Sequence, residues 1–107
     1  MKKVFLCTGL LAILTISSAA NAQPRENRFC SFNGGGRVQV TIVDRGESFK
    51  IEWSDGPKMT YVRLNVGPGR PNVVDKLGGY WYWNSHRDGV GFNLYNPSNR
   101  NTINCEA

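Results

Sequence analysis

The sequence predicts an all-β domain, a small antiparallel meander closing into a barrel or sandwich of about six to eight short strands. Three observations carry that prediction. No window repeats its apolar residues at the helical period of about 3.6. Several short runs instead alternate apolar and polar residues, as half-buried strands do. Clusters of Gly, Pro, Asn and Asp interrupt these runs roughly every eight to twelve residues.

The chain opens with Lys2 and Lys3, a nearly unbroken apolar run from Val4 to Ile16, and small residues ending in Ala20-Asn21-Ala22. That is the layout of a secretory signal peptide, so residues 1–22 are expected to be cleaved after Ala22, taking Cys7 with them. The run is shorter than the roughly 20 residues needed to span a bilayer, so no stable membrane anchor is expected after cleavage. Residues 23–28 are polar and aperiodic and read as a flexible arm. Residues 29–107 read as one domain.

Within that domain Phe29 to Phe32 is a short strand, stopped by Asn33-Gly34-Gly35-Gly36. From Arg37 to Val43, Val38, Val40 and Ile42 oppose Arg37, Gln39 and Thr41. Ser48 to Trp53 alternates Phe49, Ile51 and Trp53 with Lys50 and Glu52, and the Asp44 to Glu47 turn joins these two runs into a hairpin. Asp55-Gly56 supplies the next tight reversal. From Met59 to Leu64, Thr60, Val62 and Leu64 oppose Met59, Tyr61 and Arg63. The segment from Asn65 to Pro71, rich in Gly and Pro, is a loop, and Asn72 to Asp75 a short strand. The aromatic run Tyr80-Trp81-Tyr82-Trp83 follows Gly78-Gly79. A turn at Ser85 to Gly89 leads to a strand from Val90 to Tyr95 with Val90, Phe92 and Leu94 on one face. Thr102 to Cys105 closes the chain.

Neighbouring side chains of a strand point to opposite faces, so Trp81 and Trp83 share one face and Tyr80 and Tyr82 the other. Grouping the tryptophans with the aliphatic residues sends every tryptophan inward. Every tyrosine, Tyr61, Tyr80, Tyr82 and Tyr95, then lies on an outer face with Arg63 and Asn93. Such rings offer contact area at low entropic cost and leave a hydroxyl free for hydrogen bonding. They also serve as ordinary cross-strand pairs.

After signal cleavage two cysteines remain, Cys30 and Cys105, near the two ends of the domain. An even pair in an exported chain reads as a disulfide. Eleven basic residues then face eight acidic ones, a net charge of +3 spread along the chain. No block of like charge marks a membrane or nucleic-acid tail. Catalytic and metal chemistry find little support. His86 is the only histidine, and His86-Arg87-Asp88 lacks a nucleophile. Asp88-Gly89 reads as a hairpin tip. Gly34-Gly35-Gly36 and Gly67-Pro68-Gly69 do not sit between a strand and a helix, as phosphate loops do. Asp55, Asp75 and Asp88 show no ligand spacing and read as turn residues. No catalytic residue, metal or cofactor is expected.

The string Trp53-Ser54-Asp55-Gly56, with Tyr61, Asp75, Gly78-Gly79-Tyr80-Trp81 and the tail from Asn96-Pro97 to Cys105, resembles small exported bacterial β-proteins of the cyanobacterial type, which carry no assigned activity. In layout, with a signal sequence, an aromatic central strand and a cysteine near each end, the chain is also similar to the membrane-bound inhibitors of C-type lysozyme. It lacks their Ser-Gly-x-x-Tyr segment and their lipoprotein cysteine. That likeness implies a small β-barrel and no transferable site residues.

Together these readings point to an exported, non-catalytic interaction module in the periplasm or the medium. Its expected partner is an envelope glycan or a secreted or periplasmic protein, not nucleic acid. Inhibition of a cell-wall hydrolase and a structural role in an envelope assembly are the alternatives.

Overall fold

The computed structural model describes residues 24–107, so the expected signal peptide and Cys7 lie outside the described residues. Eight strands follow one another: β1 (Arg25–Phe32), β2 (Val38–Asp44), β3 (Ser48–Trp53), β4 (Lys58–Arg63), β5 (Val73–Asp75), β6 (Tyr80–Ser85), β7 (Phe92–Tyr95) and β8 (Thr102–Cys105). Each pairs antiparallel with the next, and β8 pairs back onto β1, so the sheet is a closed barrel. Among the described residues closure leaves no edge strand to attract another chain. Among the described residues no helix is long and apolar enough to cross a membrane.

Alternation decides what fills the barrel. Val40, Ile42, Phe49, Ile51, Val73, Trp81, Phe92, Leu94, Ile103 and the two cysteines pack together inside, with Trp53, Met59 and Trp83 partly buried against them. The rings form a chain across the interior. Trp83 stacks on Phe92 at 5.9 Å, Phe92 meets Phe49 edge-on at 6.0 Å, Phe49 stacks on Tyr61 at 5.2 Å, and Tyr61 meets Trp81 edge-on at 5.8 Å. Each such contact contributes about 0.5–1.5 kcal/mol beyond the area it buries.

Cys30 and Cys105 stand directly opposite each other on β1 and β8 and form the disulfide. Both are fully buried. The bond therefore staples the one seam of the barrel that joins strands from opposite ends of the sequence.

Three expectations need correction. Residues 25–28 are not an arm, because Arg25 to Arg28 pair with Val43 to Val40 as the first half of β1. Their polarity concealed this: Glu26 and Arg28 point inward at the end of the barrel, where their charges meet each other. Val90 precedes β7 and is exposed, so it does not share a core face with Phe92 and Leu94.

The third correction concerns β4, whose faces are reversed. Residues opposite each other in a ladder share a face, and Phe49 pairs with Tyr61 while Ile51 pairs with Met59. The inward Phe49 and Ile51 thus carry Met59, Tyr61 and Arg63 inward. Tyr61 is only 3% exposed. Val62, expected inward as an aliphatic residue, lies half-buried on the outer wall between Ser48 and Val74.

The disulfide spans 75 residues of sequence. A loop of that length assigns it about 4 kcal/mol in the chain-entropy model, with real bridges giving less. Replacing both cysteines by alanine is expected to lower unfolding free energy by about 2–4 kcal/mol. Urea titration followed by tryptophan fluorescence measures the loss, and an unchanged midpoint would show that the seam holds without its staple.

Candidate functional site

The barrel presents three surfaces on which chemistry is possible: the outer wall of β6 and β7, and two unlike ends.

On the outer wall Tyr82 lies directly opposite Tyr95, and Asn93 lies opposite Asn84 on one side and Asn104 on the other. Tyr80, two residues before Tyr82, shares its face. Tyr80 is 55% exposed and Tyr95 38%, whereas Tyr82 is half-buried, its hydroxyl 3.5 Å from the Gly69 carbonyl. Four of the six expected contact residues, Tyr80, Tyr82, Asn93 and Tyr95, are therefore brought together. Tyr61 and Arg63 are not among them.

Arg63 closes one end of the barrel instead. Its guanidinium lies 4.8 Å from the centre of the Phe49 ring, donates to the Gly46 carbonyl at 2.7 Å and pairs with Asp44 at 3.2 Å. Arg28 stands beside it, 6.0 Å from the Phe92 ring centre, donating to the Val90 carbonyl at 2.7 Å and pairing with Glu26 at 3.2 Å. The two arginines and two carboxylates leave a cleft of only about 140 Å³ above Phe49 and Phe92.

The opposite end is open. There the turns after β1, β3, β5 and β7 surround a cavity of about 500 Å³. Phe32, Trp53, Met59, Tyr61, Trp81 and Ile103 supply its walls, Leu77 and Pro57 its rim, and Asp55, Asp75 and three asparagines its polar groups. Such a volume falls in the ordinary range of small-molecule sites.

Asp75 organises this mouth. One carboxylate oxygen accepts the backbone N–H groups of Leu77 at 2.9 Å and Gly79 at 2.8 Å, and the other accepts the Trp81 indole N–H at 2.8 Å. Desolvation alone would raise its pKa. The hydrogen bonds from Trp81 and the backbone amides outweigh it and hold the carboxyl below the usual range, so it stays charged. Close packing supports the arrangement: a Cβ on Gly79 would fall 2.7 Å from the Asp75 carboxylate. Burial, with the nearby Asp75 charge, pushes the Tyr61 hydroxyl well above the usual phenol range, so it remains protonated at neutral pH.

The other residues weighed for chemistry act locally. His86 Nε2 lies 2.7 Å from Asn104 Oδ1, while Asp88 accepts the backbone amides of Val90 and Gly91 at 2.8 Å each. Among the described residues no three His, Cys, Asp or Glu side chains cluster as metal ligands. Comparison with protein-family models, curated proteins and solved structures found no match.

The open mouth was missed by reading strands one at a time. Its signal lies in the strand ends: Phe32 and Trp53 are the last inward residues before turns, and those turns gather at the same end of a meander.

Asp75→Asn is expected to destabilise the protein at pH 7 by about 1.5–3 kcal/mol, since one charge-assisted hydrogen bond or more is lost. A lowered native pKa contributes stability that is complete above the unfolded value, 3.8, and disappears as pH falls through the native value. Urea midpoints measured from neutral pH down into the acid range should therefore fall less steeply for the variant than for the wild type. Parallel curves would remove Asp75 from the acid response.

Proposed function

We propose that the chain is an exported, non-catalytic binding module, recognising an envelope glycan or a secreted or periplasmic protein through the outer wall of β6 and β7. The observation that supports this most directly is the ladder register. It sets Tyr82 against Tyr95, with Tyr80 beside them and the Asn93 amide adjoining. Rings aligned along a rigid wall form a flat amphipathic platform, and flanking amides add hydrogen bonds; sugar rings and protein surfaces are both read in this way. Because the barrel holds these strands by continuous pairing on both sides, little ordering would be required on binding. A buried disulfide agrees with an oxidising compartment, as the signal-peptide layout requires. Inhibition of a cell-wall hydrolase is one form of the protein-partner reading.

Purified peptidoglycan fragments and an envelope extract, passed over the immobilised oxidised domain, test the proposal. The wild type should retain a glycan or protein that a folded Tyr80→Ser/Tyr82→Ser variant releases, with affinity reduced about tenfold or more, the loss of about 1.4 kcal/mol. Equal retention by the two would assign the tyrosines to sheet packing. If the retained protein is a hydrolase, the same domain should reduce its lytic activity in proportion to dose.

A further inference from the structure

The open mouth has a chemistry of its own, separate from the outer tyrosines. Its walls offer the rings of Trp53 and Phe32 over a floor of the nearly covered Tyr61 and Trp81, and among the described residues its charged groups are Asp55 and Asp75 alone. Among the described residues no lysine, arginine or histidine lines it. That is unexpected for a domain whose basic residues outnumber its acidic ones eleven to eight, and whose arginines close the opposite end of the same barrel. A cavity with aromatic walls and two carboxylates repels fatty acids, phosphates and other anions. A neutral apolar guest would gain from the walls but nothing from the charges. A cation with an apolar shell gains from both, because aromatic rings attract it electrostatically and the carboxylates, Asp75 in the wall and Asp55 on the exposed turn, add countercharge.

The depth of the cavity also limits the guest. Tyr61 stacks on Phe49, and Arg63 covers Phe49 from the far side, so the barrel is filled beyond the mouth and cannot thread a long chain. At about 500 Å³ the space suits a compact molecule. Leu77, 85% exposed on the turn pinned by Asp75, stands at the rim where a bound molecule would give its side chain something to cover.

We propose that the open mouth binds a small soluble organic cation, a quaternary ammonium, seated beside the accessible rings of Trp53 and Phe32, above a floor made by Tyr61 and Trp81, with Asp55 and Asp75 as countercharges. The rings provide contact without hydrogen bonds, which a quaternary nitrogen cannot donate. The carboxylates select its charge over that of a neutral molecule of the same shape.

Choline and its uncharged isostere 3,3-dimethyl-1-butanol make the direct test, titrated into the full oxidised domain while tryptophan fluorescence is read. Choline should give a saturable change, and the neutral alcohol should bind about tenfold more weakly or worse, as cation–π attraction at a desolvated site implies. Trp53→Ala should weaken choline by a similar factor. Asp55→Asn, on an exposed turn where folding is not at stake, should weaken it several-fold and flatten its salt dependence. The Tyr80→Ser/Tyr82→Ser variant, altered only on the outer wall, should bind choline as the wild type does. Equal binding of choline and the alcohol, no saturable signal up to the solubility limit, or loss of choline binding in the outer-wall variant would each overturn the proposal. None of these results bears on glycan or protein capture by the tyrosines.

Discussion

The pairing of β8 with β1 is the constraint on which everything else depends. An open meander of the same strands would have two bare edges and no fixed inside. Once Cys105 is set opposite Cys30, the ladder runs around the whole circumference, and every side chain is committed to the interior or the wall. The bond lies between fully buried neighbours, so it acts as part of the core as well as a tether. The aromatic chain from Trp83 to Trp81 exists only because closure brings β6 and β7 across from β3 and β4.

Local physics made most of this legible beforehand. Strands β3 and β8 match their expected limits residue for residue, since turn-forming residues flank β3 on both sides and precede β8. The inward direction of Trp81 and the disulfide followed from period and from cysteine number. What failed was inference that needed a neighbour. Thr60, Val62 and Leu64 have the more aliphatic pattern in β4, yet the partner residues Phe49 and Ile51 decide the face. The Arg25–Arg28 half of β1 failed for a related reason: inward charges at a barrel end look like a solvated arm until their counterions are placed. The cavity belongs to four turns far apart in sequence, so no single window contains its signal.

The two ends of the barrel solve the same problem in opposite ways. Apolar inward residues near the strand termini have no further layer of strands above them, so any cover must come from side chains or turns. At one end Arg28 and Arg63 cover Phe92 and Phe49 with their flat guanidinium groups and turn their charge toward Glu26, Asp44 and backbone carbonyls. At the other end Phe32 stays exposed and Trp53 only half-buried over the covered Tyr61 and Trp81, and carboxylates and amides replace the arginines. This asymmetry separates a sealed floor from an accessible chamber within one short barrel, and it does so with side chains alone.

One side chain also changes what the longest loop means. Asn72 stands just before β5, and its amide copies a peptide group: Oδ1 accepts the Trp83 backbone N–H at 2.7 Å, and Nδ2 donates to the Trp83 carbonyl at 3.1 Å. The ladder between β5 and β6 thus extends one step beyond the strand without main chain to carry it. The loop before it, from Asn65 to Pro71, is released from any duty to hold that register. Foreign sequence inserted there would meet a sheet whose alignment is already secured. The barrel thus has a place built to take an insertion, anchored by one asparagine through its carboxamide and its main-chain N–H on the Trp81 carbonyl.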